Sequence, residues 1–167
     1  MKTLVIGLGN PIVSDDSVGL RVAAEIRDLL ADRNGNDRDG DELRGIPTDV
    51  EVTEDYWGGL RLMERLIGFD RAIVVDAICT DAPPGTIQLL RPDDIPTQKS
   101  NSAHDLTLTM ALELGRKNGA HLPRNEDILL IGIEADDVLT FSEQCTPAVE
   151  AAIPKAVEEV LAALRQE

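Results

Sequence analysis

Asp16, Asp76 and His104 are the residues of this chain whose types could do chemistry together. Two carboxylates and a neutral imidazole form a mixed oxygen and nitrogen donor set, which suits a divalent transition metal and leaves positions open for substrate. Asp16 follows the apolar run Leu4-Val5-Ile6 and the tight turn Gly7-Leu8-Gly9-Asn10-Pro11, at the start of a helical pattern. Asp76 closes the β-prone run Ala72-Ile73-Val74-Val75. His104 stands in Ser102-Ala103-His104-Asp105, just ahead of another helix. The positive end of a helix dipole opposes imidazolium there and favours the neutral ring a metal needs. The three are far apart in sequence, so the site exists only if the fold gathers them. Each alone has a plainer use. Asp15 or Asp16 can cap the first helix, Asp76 can accept backbone hydrogen bonds in a turn, and His104 can cap the third helix.

The elements that must position them follow from periodicity. Lys2–Ile6 reads as a buried strand. Val18, Val22, Ile26 and Leu29 share one face of a helix that runs to about Asp32. Residues 34–47 are polar and rich in Gly and Asp, and are expected to be a solvated loop. Val50 and Val52 alternate with polar residues in a second strand. Leu60, Met63, Leu66 and Ile67 mark a second helix that stops at Gly68. Ala72–Val75 should be the central strand. Pro83-Pro84-Gly85 turns the chain into an alternating strand, Thr86–Leu90, and residues 92–102 form a loop. Leu106, Met110 and Leu114 mark a third helix. Asp127–Ile133 is a fifth strand. Thr146 is expected as an N-cap with Pro147 at the first helical position. Val149, Ile153, Val157, Val160 and Leu164 then give the core face of the last helix. Strands alternating with helices imply an α/β fold with a mostly parallel sheet covered on both faces. In such sheets ligands bind beyond the carboxyl ends of the strands.

Bulk properties narrow the function class. The 167 residues favour one domain, residues 1–167, with a single core. With only Tyr56, Trp57, Phe69 and Phe141 aromatic, that core must be aliphatic. A formal charge of −15 argues against nucleic acid or an anionic membrane as partner. No apolar run approaches the roughly 20 residues of a membrane span, and the first strand is too short for a signal peptide. The two cysteines, Cys79 and Cys145, form no CxxC pair, which fits a reduced cytoplasmic setting.

Weaker candidates are set beside these. Asp37, Asp39 and Asp41 imitate an EF-hand loop, but Glu42 stands where glycine is required and Thr48 where the bidentate Glu belongs. Cys79 lies three residues past Asp76 and is expected to be buried and inert. His121 reads as surface. Trp57 serves core packing equally well, but Trp57-Gly58-Gly59 at the second-strand exit also suits the wall of a peptide groove. No GxSxG or HExxH motif is present, so neither a serine nucleophile elbow nor a zinc-protease helix is signalled.

The blocks now quoted resemble, in order and over nearly the whole chain, the nickel–iron hydrogenase maturation endopeptidases. Gly7-Leu8-Gly9-Asn10-Pro11 with Asp15-Asp16-Ser17-Val18-Gly19 is similar to that family's N-terminal signature. Trp57-Gly58-Gly59-Leu60, Asp70–Ala77, Pro84-Gly85-Thr86-Ile87, Ser102–Leu106 and Thr146–Val149 continue the likeness. The resemblance implies a phosphorylase/hydrolase-like three-layer α/β/α sandwich with a mixed, mostly parallel five-stranded sheet. It implies that Asp16, Asp76 and His104 contact nickel, with Asp16 and Asp76 catalytic and with Gly9, Asn10, Trp57, Gly58 and Gly59 meeting the substrate. The implied reaction removes a short C-terminal peptide from a hydrogenase large-subunit precursor after nickel insertion. The nickel is then supplied by the substrate, zinc or cadmium can stand in for it, and the protease is a cytoplasmic monomer.

Two departures accompany the likeness. Asp16 stands where some members carry Glu, an arm shorter by one C–C bond, about 1.5 Å. Ser17 stands where Gly is usual. The second-strand exit, where some members carry Asp, offers both Glu54 and Asp55. Two other readings of the opening turn come from different classes. Peptidyl-tRNA hydrolases share Gly-Leu-Gly-Asn-Pro but need an early His that this chain lacks. A nucleotide-binding or adaptor module needs a third glycine where Ile12 stands.

Overall fold

A computed structural model describes residues 1–32, 43–94 and 107–166. The elements are β1 (Thr3–Leu8), α1 (Val18–Asp32), β2 (Val50–Asp55), α2 (Gly59–Leu66), β3 (Arg71–Ile78), β4 (Ile87–Leu90), α3 (Leu108–Lys117), β5 (Ile128–Glu134) and α4 (Pro147–Arg165). The strands form one five-stranded sheet in the order β2-β1-β3-β5-β4. β1, β2, β3 and β5 run parallel, and β4 pairs antiparallel with β5.

Strand alternation explains the layers. On one face Val5, Ile73, Val75, Ile131 and Ile133 pack with Val18, Val22 and Ile26 of α1 and Val149, Ile153, Val157 and Val160 of α4. On the other, Leu4, Ile6, Ala72 and Val74 pack with Leu62, Met63 and Leu66 of α2 and Ala111 and Leu112 of α3. Both faces of β1 and β3 are therefore covered, which is why these strands read as continuous apolar runs. The result is an α/β/α sandwich with a mixed, mostly parallel sheet, as the alternation of strands and helices implied.

The order 2-1-3 puts α1 and α2 on opposite faces and opens a crevice between β1 and β3 at their carboxyl ends. Glycines let the first helix close on that edge. A Cβ on Gly19 would lie 2.4 Å from the carbonyl oxygens of both Leu8 and Val75, so α1 approaches β1 and β3 at backbone distance.

Four sequence expectations change. Residues 43–47 are not wholly solvated: Ile46 is buried and Leu43 packs against the α1/α4 core. The core face of α3 is Ala111, Leu112 and Gly115, whereas Met110 and Leu114 are exposed. Gly115 decides this, because a side chain there would collide with Leu122 and Met63, whose apolar groups fill the space. Cys79 is exposed rather than buried. Trp57 is 63% exposed, so it is not a core residue. The acidic run Asp37, Asp39, Asp41 and Glu42, together with Leu106, lies outside the described residues.

Candidate active site

The turn after β1 is built around two neighbouring carboxylates with different tasks. Asp15 is fully buried. Its Oδ2 accepts from the N–H groups of Asp136 and Asp137, each at 2.9 Å, and from the Thr146 hydroxyl at 2.9 Å. Its Oδ1 accepts from Thr146 N–H at 2.7 Å. Asp15 therefore ties the β1 exit to the segment joining β5 and α4. Thr146 occupies the N-cap position of α4 with Pro147 behind it, but its hydroxyl serves Asp15 instead of the helix amides.

Asp16 caps no helix either. Its Oδ2 accepts from Asn10 N–H at 2.9 Å, and Asn10 Oδ1 accepts from Ile12 N–H at 3.2 Å. Gly9 makes this fold-back possible. Its φ of +147° lies in a region that side chains avoid, and a Cβ there would sit 1.9 Å from the Asp16 carbonyl oxygen. The turn glycine serves the approach of backbone to backbone, and the loop presents a carboxylate.

Asp76 does not close β3 but lies two residues before its end at Ile78, partly buried. Burial, and next the negative charge of Asp16, raise its pKa from 3.8 to about 7, against a hydrogen bond from Ala77 N–H that lowers it. The topology has thus brought Asp16 and Asp76 within electrostatic reach across the β1/β3 crevice. Among the described residues neither forms an ion pair with a basic side chain. Two carboxylates in this state are relieved by a proton or by a cation, and the oxygen donors fit a divalent metal. His104 lies outside the described residues, as do Ser102 and Asp105. Among the described residues no three candidate ligands converge.

Gly9 and Asn10 at the β1 exit, and Trp57, Gly58 and Gly59 at the β2 exit, line the same carboxyl edge. Tyr56 and Trp57 are exposed there, and Gly59 has a φ of +57°. His121 is on the surface, 2.9 Å from Asp70 Oδ1.

Two carboxylates on this edge went unassigned in sequence. Asp55, the last residue of β2, is buried at 2% exposure, whereas its neighbour Glu54 is not. Burial pushes its pKa up, but hydrogen bonds from Arg65, Tyr56 N–H and Arg61 outweigh burial and hold it below 3.8. Glu54 instead pairs with Arg27 at the surface. Alternation carried that signal: Val50 and Val52 face α1 and α4, so Asp55 turns toward α2, where Arg61 and Arg65 wait at i+6 and i+10. Glu134, closing β5, is also buried and accepts from Thr80 N–H at 2.6 Å and from its hydroxyl at 2.7 Å, fixing the segment after Asp76. Cys79 in that segment is a poor nucleophile. Although exposed, it is partly desolvated, which raises its pKa, and the charges of Glu134, Asp16, Asp76 and Asp81 add to the rise.

Comparison with known proteins now bears on these features. The profile of the hydrogenase maturation protease family matches residues 44–163. The chain belongs to that family. The hydrogenase 2 maturation protease of Escherichia coli strain K12 is 32% identical over 169 aligned positions, covering 99% of this chain and 92% of the relative. The hydrogenase expression/formation protein HoxM of Azotobacter vinelandii is 27% identical, covering 95% and 70%. Among solved structures, the maturating endopeptidase HybD from E. coli superposes with a TM-score of 0.74 at 29% identity, covering 99% of this chain and 93% of that one. As a member of the hydrogenase maturation proteases the protein is a hydrolase, an endopeptidase. Membership sets aside the tRNA hydrolase and nucleotide-module readings of the opening turn. Among the described residues no helix is long and apolar enough to cross a membrane.

Proposed function

We propose that this protein removes the C-terminal peptide of a nickel–iron hydrogenase large-subunit precursor after nickel has been inserted. The observation that carries the reading is the Asp16–Asp76 pair, two like charges held together at a sheet edge with no basic partner among the described residues. Such a pair gains from a divalent cation, and the precursor's nickel brings one as part of the substrate. Asp16, Asp76 and His104 complete the shell of that nickel. Gly9, Asn10, Trp57, Gly58 and Gly59 line the path of the scissile segment. The nickel supplies Lewis acidity at the scissile carbonyl, and the Asp16–Asp76 pair supplies the base that takes a proton from the attacking water. The protease acts as a cytoplasmic monomer on a protein substrate, which its acidic surface suits better than nucleic acid.

Because the metal belongs to the substrate, stripping the protease should leave activity intact. Protein treated with a chelator and desalted is expected to cleave nickel-loaded precursor at the untreated rate. A loss restored by adding nickel to the protease alone would make nickel a resident cofactor and contradict the proposal.

A further inference from the structure

Beside the turn that carries Asp16 lies an isolated antiparallel bridge whose outer backbone face, among the described residues, is unpaired at one residue. Ser14 N–H donates to Thr140 O and Ser142 N–H donates to Ile12 O, each at 3.1 Å, with Val13 opposite Phe141 in an antiparallel bridge. These two bonds straddle the Val13–Phe141 pair, so the N–H and C=O of both residues point away from their shared seam. Val13 N–H turns back to Asn10 O at 3.2 Å. Phe141 has no such use for its backbone groups, which find no partner among the described residues. Phe141 is 79% exposed, and Leu139 and Ile12 are 85% and 53% exposed. One N–H and one C=O left unpaired beside bare apolar side chains offer a short template for strand pairing.

Charge narrows the occupant. Asp136 and Asp137 precede the edge, Glu143 follows it, and Asp16 lies two residues beyond Ser14 on the paired loop. Arg21, the nearby base, is itself paired with Glu150 at 2.7 Å. An acidic segment would be repelled. We propose that Phe141 pairs its main chain with an extended, neutral or basic segment of the precursor bearing apolar side chains, laid against Phe141 and Leu139. This rests on the processing reading above and names the element that holds the substrate chain beside the carboxylates. Asp15 makes the edge rigid, because its four hydrogen bonds lock the two loops together.

The test uses nickel-loaded precursor as probe. Phe141→Pro removes the donor, and Phe141→Ala removes the side chain. Both are checked for a native unfolding transition. KM should rise about tenfold for Phe141→Pro and about threefold for Phe141→Ala, with kcat within twofold of wild type. Hydrogen–deuterium exchange of the cleavage-impaired Asp76→Asn protein should slow across residues 139–143 on adding precursor, a readout that does not depend on how Phe141→Pro folds. Unchanged KM in Phe141→Ala together with unchanged exchange at 139–143 would overturn the strand-addition proposal, while loss of cleavage in Asp76→Asn upheld the processing site. Wild-type cleavage by Asp76→Asn would instead count against the processing reading.

Discussion

Asp76→Asn is expected to lower kcat/KM for precursor cleavage by about a thousandfold while the protein stays folded and gains stability at neutral to alkaline pH. In the function proposed above Asp76 is a nickel ligand and part of the base, and removing such an oxygen costs roughly a hundredfold to ten-thousandfold. The stability gain follows from linkage. Asp76 titrates near 7 in the fold against 3.8 as the unperturbed value, because burial and then Asp16 disfavour its charge. The folded state therefore holds this proton more tightly than the unfolded chain. Its favourable contribution is complete below 3.8 and is lost as pH rises through 7. An amide cannot ionise, so Asp76→Asn escapes the penalty, which amounts to a few kcal/mol at pH 8. Urea unfolding of both proteins at pH 5 and pH 8 checks it. The variant's advantage should be larger at pH 8. An advantage independent of pH, or wild-type cleavage, would contradict this account of Asp76.

Gly19→Ala is the second large effect, and it acts on the fold. A methyl at Gly19 would lie 2.4 Å from two carbonyl oxygens, one on β1 and one on β3. Neither is the end of a flexible side chain, so the helix must move away from the sheet. Overpacking usually costs about 1–3 kcal/mol where side chains can shift, and here the obstacle is backbone, so a loss of at least about 3 kcal/mol is expected. A displaced α1 also carries Asp16 away from Asp76, so cleavage should fall even under conditions where the variant is folded. Chemical denaturation measures the first effect, and a midpoint equal to wild type would refute it.

Much of this molecule is legible in its sequence, for reasons particular residues make plain. Val18, Val22, Ile26 and the row from Val149 to Leu164 each mark a single apolar face, and both faces lie against the sheet. Ala72–Val75 is apolar at every position because β3 is covered on both sides. α3 is different. In the sequence Leu106, Met110 and Leu114 form an apolar row, but the buried row is Ala111, Leu112 and Gly115, where the glycine leaves room for Met63 and Leu122. Periodicity ranks apolarity and is blind to the gap a helix must fill. The same limit hid the division of labour between Asp15 and Asp16. Adjacent identical residues carry no sign of which faces inward, and only the β5–α4 segment, more than a hundred residues away, makes Asp15 a buried anchor. Asp76 could be placed near this edge because a carboxylate toward the carboxyl end of a central parallel strand has one edge to approach. Asp55 needed the register of β2 and the reach of two arginines from α2.

The central claim is that the precursor's nickel meets Asp16, Asp76 and His104. Its most direct test compares kcat/KM for nickel-loaded and nickel-free precursor, with wild type and with Asp16→Asn, Asp76→Asn and His104→Ala. The account predicts that wild type prefers loaded precursor by at least about a hundredfold, and that each substitution reduces the preference as well as the rate. Equal cleavage of both precursors by wild type, or a preference unchanged in all three variants, would contradict it.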